Sequence, residues 1–197
     1  MDAVDTVSAR KLALLISFLA VCLTLALSLP AMSEASEDKN PATENAPHPY
    51  TPDQIRDFCI GRTVTHRVEQ AESVHFVETR FLAGDAESGT LITRTVDPDG
   101  IVTEGPTRSP IRWADLRDHA TFPAARTTVT DAICETLAGE FECMLYTVTS
   151  ESPDGPVSRF YFAKKCPGAP VLFESELGGT MVYRMVLTDE VPKEKAP

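Results

Sequence analysis

A single tryptophan, four histidines and 18 basic residues against 29 acidic ones, in a chain of 197, leave several function classes without support. The formal charge of −11 repels nucleic acid and anionic headgroups, so neither is expected as a nonspecific partner. The chain has no C-x-x-C pair, no H-E-x-x-H run, no G-x-S-x-G turn and no glycine-rich phosphate loop. Each of those spacings places a reactive group where its chemistry requires it. No catalytic residue, metal or cofactor is therefore expected from pattern, although an enzyme stays open because active sites are geometric rather than sequential. There is no internal repeat, and only one long apolar run.

That run decides where the protein works. Arg10 and Lys11 precede apolar residues from Leu12 to Leu29, Pro30 breaks the helix, and small residues follow at Ala31 and Ser33. This is the charged, apolar and small-residue order of an export signal, expected over residues 1–33, and it predicts a periplasmic or secreted protein. At eighteen residues the run is also long enough to stay as an anchor, which would then be the chain's contact with a membrane. Cys22 follows Val21 inside the run, where a lipidating peptidase would want a small residue.

Residues 34–50 are polar and proline-bearing and read as a disordered tether. One β-rich domain is expected over 51–190, with a flexible tail at 191–197. Thr51-Pro52-Asp53-Gln54 is a helix start, with a capping threonine, proline at the first helical position and glutamine three residues after the cap. After Gly61 the pattern turns to short β-type runs: 62–70, 73–82, 90–96, 101–104, 127–137, 140–150, 158–165, 171–177 and 180–187. Ser109-Pro110 resembles a second helix start, carrying Trp113, Leu116 and Arg117 toward His119. The late connections are too short for parallel crossovers. The expected fold class is mainly β (α+β): a curved antiparallel sheet or half-barrel with one or two short helices packed on it.

Four cysteines remain beyond the signal, an even count that reads as two disulfides in an oxidising compartment. A two-residue loop at Ala138-Gly139 would set Cys134 directly across from Cys143, at a spacing a disulfide can span. Cys59 and Cys166 then remain. Their bridge closes a long loop worth about 4–5 kcal/mol in the chain-entropy model. Pairing 143–166 with 59–134 is the rival.

Other candidates are weighed against plainer readings. In the tightest register His66 and His75 face each other near Glu69 and Glu72, which could suit a divalent metal. Half-exposed strand histidines are the plainer account, and no metal site is expected. Asp97-Pro98-Asp99-Gly100 is a turn rather than a calcium loop, because Arg108 stands where the last ligand would be. Glu135 is expected opposite Glu142, a like-charge pair relieved by solvent. His119 beside Asp118 forms no constellation. Trp113, Phe160, Phe162 and Phe173 are either core of a filled sheet or the wall of a cavity for an apolar ligand.

The late block carries a resemblance. Its elements are Glu135-Thr136-Leu137-Ala138-Gly139-Glu140-Phe141-Glu142-Cys143, then Tyr146, Phe160-Tyr161-Phe162-Ala163 and Pro167-Gly168-Ala169-Pro170-Val171. It resembles uncharacterised secreted or periplasmic bacterial β-domains whose strand order is similar to the lipoprotein-carrier half-barrel. The resemblance covers residues 126–188. It implies a fold and brings no catalytic residues, and Cys59, Cys134 and Cys166 depart from its commonest form. The resulting expectation is an exported, non-enzymatic envelope accessory or binding protein, its partner an apolar ligand such as a lipid or an envelope protein. An interaction or inhibitor module without a cavity is the alternative, and an envelope hydrolase the second.

Overall fold

A computed structural model describes residues 44–191 of the chain. The expected signal, the first part of the expected tether, Cys22 and residues 192–197 lie outside the described residues. The fold begins with helix α1 (Pro52–Cys59), then strands β1 (Thr63–Gln70), β2 (Ser73–Gly84), β3 (Ser88–Val96) and β4 (Val102–Arg112). Helix α2 (Trp113–Asp118) and a short 3-10 turn lead to β5 (Thr127–Thr136), β6 (Gly139–Thr149), β7 (Val157–Ala163), β8 (Leu172–Leu177) and β9 (Thr180–Val191). All nine strands form one open antiparallel sheet in the order β4-β3-β2-β1-β9-β8-β7-β6-β5. The fold class expected from the sequence is the fold observed.

Local chemistry explains the first element. The Thr51 side chain accepts from the Gln54 amide, and the Gln54 side chain accepts from the Thr51 amide. Two orphan donors are thereby satisfied, and Pro52 needs no donor at the first helical position. The inner face of α1 buries Ile55 and Cys59. The Asp97 turn is also as expected, with Oδ1 accepting from the amides of Asp99 and Ile101.

Three expectations are corrected. Ser109-Pro110 does not start a helix: both residues remain in β4, and α2 begins at Trp113 without a side-chain cap. Its start is set by tertiary contact, since the Trp113 amide donates to the Glu87 carbonyl. Residues 44–50 are not tether, because Ala46 and Tyr50 are buried in the main core. The Ala46 amide donates to Phe122, and the hydroxyls of Tyr50 and Tyr146 donate to the carbonyls of Ala163 and Pro47. The β5–β6 loop is Leu137-Ala138, so the register moves by two: Cys134 faces Phe141, Cys143 faces Ala132, and the like-charge pair is Glu135 with Glu140.

The main core lies between the inner face of the sheet and the two helices. It gathers Tyr50, Ile55, Trp113, Ala120, Phe122, Tyr146 and Phe162. A second cluster of Cys134, Cys143, Ala163, Leu172 and Val186 sits toward the outer face, where β5 comes near β9 despite their separation in the sheet order. Trp113 is the anchor of the main core, 1% exposed, with its indole N–H donating to the Asp85 carbonyl. Gly89 supplies the floor: a Cβ there would stand 2.5 Å from the indole ring. Trp113→Ala is expected to cost about 3–5 kcal/mol, and Gly89→Ala to destabilise by forcing the ring outward. Urea unfolding of both variants against the parent checks this.

Candidate functional site

The aromatic residues expected to wall a cavity occupy two environments. Trp113 closes the helix side of the core. Phe162, 3% exposed, meets Tyr50 and Tyr146 edge-on at 5.9 and 5.4 Å. Phe160 stacks on Phe173 at 4.4 Å with the rings 4° from parallel, Phe122 lies 4.7 Å from Phe160, and Tyr183 continues the row 5.2 Å from Phe173. Cross-strand registry makes the row, because Phe160 pairs with Phe173 across β7 and β8 and both side chains emerge on the inner face. Phe160, Phe173 and Tyr183 remain half-buried. Burial pushes the Tyr183 hydroxyl up to about 12, so it stays protonated.

Two depressions among the described residues have linings that include none of Trp113, Phe160, Phe162 and Phe173. One, of about 440 Å³, lies at the sheet end between Pro153, Gly155 and Val157 on one side and Leu177 and Gly178 on the other. The other, of about 220 Å³, lies on the outer face between the Glu135–Leu137 arm and Arg67, Arg184 and Val186. Around it runs a cross-strand charge ladder. Arg184 meets Glu174 at 3.2 Å and Glu69 at 3.5 Å, Arg159 meets Glu176 at 2.9 Å, and Arg67 also reaches Glu69. Among the described residues each arginine of this ladder meets a carboxylate.

Cys59, Cys134, Cys143 and Cys166 carry free thiols. The two-residue register shift leaves Cys134 and Cys143 as diagonal neighbours on one face of the hairpin, with the Cys143 thiol donating to the Phe141 carbonyl at 3.5 Å. The Cys59 thiol donates to the Pro167 carbonyl at 3.6 Å, one residue beyond Cys166, and the charges of the Arg62–Glu190 ion pair act on both thiols. Burial pushes the Cys59 and Cys143 thiols up to about 12. They are protonated at neutral pH and poor nucleophiles.

The histidines separate. His66 pairs with Val77 and His75 with Val68, so the two are offset rather than opposed. Among the described residues no group of three or more His, Cys, Asp or Glu side chains is placed to hold a metal. His66 is 7% exposed, and its ring donates to the Pro170 carbonyl.

No protein-family model matches the chain, and no curated protein matches it. Solved structures similar to it include a protein described as exported, with a YmcC-like fold, from Bacteroides fragilis: 12% identity, 66% of this chain and 95% of that one, TM-score 0.43. A protein described as a lipoprotein from Parabacteroides distasonis gives 9% identity, 68% and 96% coverage, and a TM-score of 0.42. A chain of the Pseudomonas aeruginosa MucA/MucB complex gives 11% identity over 74% of this chain and 56% of that one, TM-score 0.47. The present chain thus spans little more than half of that last one. Likenesses this distant carry no function across.

Burial lowers the His66 pKa from 6.5 to about 4, with the Pro170 bond opposing it only in part. The unfolded chain therefore binds the extra proton first, and stability present above pH 6.5 is lost as pH falls toward about 4. The loss is on the order of 3 kcal/mol. Urea midpoints over that range should fall more steeply for the parent than for His66→Leu, whose curve lacks this contribution.

Proposed function

We propose that this chain is an exported, non-enzymatic accessory protein of a bacterial-type envelope, and that it works by binding another protein. One observation carries this reading. The rings that could have walled a cavity pack on one another, while large apolar side chains stand in solvent at three hairpins, Ile101 and Val102 marking the one between β3 and β4. Ile133 (60% exposed) and Leu137 (78%) stand on β5–β6, and Leu177, Met181 and Val182 on β8–β9. Scattered apolar side chains are ordinary on a surface, but neighbouring ones on the same hairpins suit a protein contact. A second reading has its own support: the half-buried row of Phe160, Phe173 and Tyr183 would suit an apolar ligand laid along the inner face, with Trp113 and Phe162 behind it.

One preparation from an exporting host separates the two. Protein cross-linked in situ should carry a defined partner, and Leu137→Ser with Leu177→Ser should reduce its yield severalfold while the unfolding midpoint hardly moves. A lipid-sized adduct in the native mass spectrum, lost in Phe160→Ala and Phe173→Ala, would overturn the protein-binding reading in favour of the carrier.

Removal of residues 1–33 and oxidation of the cysteines belong to the same proposal. Thiol–disulfide exchange with an oxidising disulfide would join Cys59 to Cys166 and Cys134 to Cys143, each bond releasing two hydrogens to the reduced oxidant. The denatured mass of exported protein is expected to show cleavage and the loss of four hydrogens, and peptide mapping to show those two pairs. Recovery of 143–166 with 59–134 would install the rival pairing.

A further inference from the structure

The two edges of the open sheet are built differently. The β4 edge carries Pro106 and Pro110, and its register with β3 is interrupted between Thr93 and Thr95 and again before Val96. Prolines and bulges are the usual means of blunting an edge against stray pairing. The β5 edge has neither. It runs ten residues, Thr127–Thr136, with no proline, glycine or lysine, and it pairs with β6 in an unbroken register.

Register also shows which β5 groups face outward. Thr136 and Gly139 close a two-residue loop and so form a hydrogen-bonded pair. Alternation then turns the N–H and C=O of Thr127, Val129, Asp131, Ile133 and Glu135 away from β6. The opposite side of β6 obeys the same phase, since the Lys164 amide donates to the Glu142 carbonyl at 2.8 Å. Among the described residues no strand pairs with this edge, although β5 comes near β9 on the outer face, and no backbone bond reaches its outward groups.

Side chains give the edge its character. The outward-facing residues alternate apolar and acidic: Val129 (38% exposed), Asp131, Ile133 (60% exposed), Glu135. Behind them on β6 stand Glu140 and Glu142, opposite Glu135 and Ile133. Asp131 meets Lys164 at 2.6 Å, whereas Glu135, Glu140 and Glu142 have no ion-pair partner among the described residues. The intervening residues are small or hydroxylated: Thr128, Thr130, Ala132 and Cys134.

We propose that the outer edge of β5 is a strand-addition site for an extended segment of a partner protein in which apolar and basic side chains alternate. The added strand would complete the unpaired backbone row, and its apolar and basic residues would meet Val129 and Ile133, Asp131 and Glu135. Small or hydroxylated residues would occupy its other face. A second copy of this chain fits less well, because two acidic edges would be brought together on molecules that each carry −11. The inference rests on the protein-binding reading and names its site.

The test uses exported, cleaved protein and a capped peptide of repeating Val-Thr-Arg-Thr pattern, with the Glu-for-Arg peptide as comparison. Hydrogen exchange over residues 127–136 should slow with the Arg peptide and not with the Glu peptide. Ile133→Pro removes an outward N–H that β6 does not use, so the fold survives; it should weaken binding about tenfold or more. Glu135→Lys, which threatens no backbone bond, should shift preference toward the Glu peptide.

Unchanged exchange, equal binding of both peptides, or full binding by Ile133→Pro overturns the proposal. So does an edge already protected in the free protein, or protected in step with concentration-dependent dimers. If Ile133→Pro keeps the partner captured in situ, the edge is refuted while the protein-binding reading stands.

Discussion

The pairing of β1 with β9 holds the architecture together. Each side of that seam is a simple antiparallel meander, β1 to β4 on one side and β5 to β9 on the other. The seam places β4 and β5, consecutive in the chain, at opposite edges of the sheet. Their connection, residues 113–126, must therefore travel from edge to edge, and it does so across the inner face. Trp113, Ala120 and Phe122 become core because of that crossing. The space a carrier would keep for its ligand is largely taken by the chain's own return path.

This accounts for what could and could not be read in the amino-acid order. Features decided within a few residues were legible: the Thr51–Gln54 capping box, the Asp97 turn and the hairpin strands. Features decided by distant contact were not. Ser109-Pro110 has the chemistry of a helix start, yet β3 continues to pair with it through Leu91 and Thr90, so the strand wins. Ala46 and Tyr50 sit in a polar, proline-bearing stretch that composition assigns to solvent, and only the far-off carbonyls of Phe122 and Ala163 reveal that it is ordered.

The candidate sites follow the same division. Phe160 and Phe173 were recognisable as inner-face residues from strand alternation, but alternation says nothing about whether their rings face a void or each other. The cysteine hairpin was legible as a hairpin, while its register depended on a loop one residue earlier than Ala138-Gly139, and a hairpin's register follows its loop. The Tyr50 hydroxyl on the Ala163 carbonyl joins the segment before α1 to the end of β7, a contact that no local pattern signals.

The seam has a consequence for how the molecule comes into being. During synthesis β1 is among the first strands to emerge and β9 is the last, so one side of what becomes the centre of the sheet stays open throughout. Val64 and Val68 and the buried ring of His66 wait on that open side until residues 183–191 arrive. Contacts between strands this remote in sequence form slowly, and half-built sheets with bare strands are the species that aggregate. With this wiring the strand flank that stays bare longest lies at the middle of the fold, and only the pairing of β9 with β1 covers it.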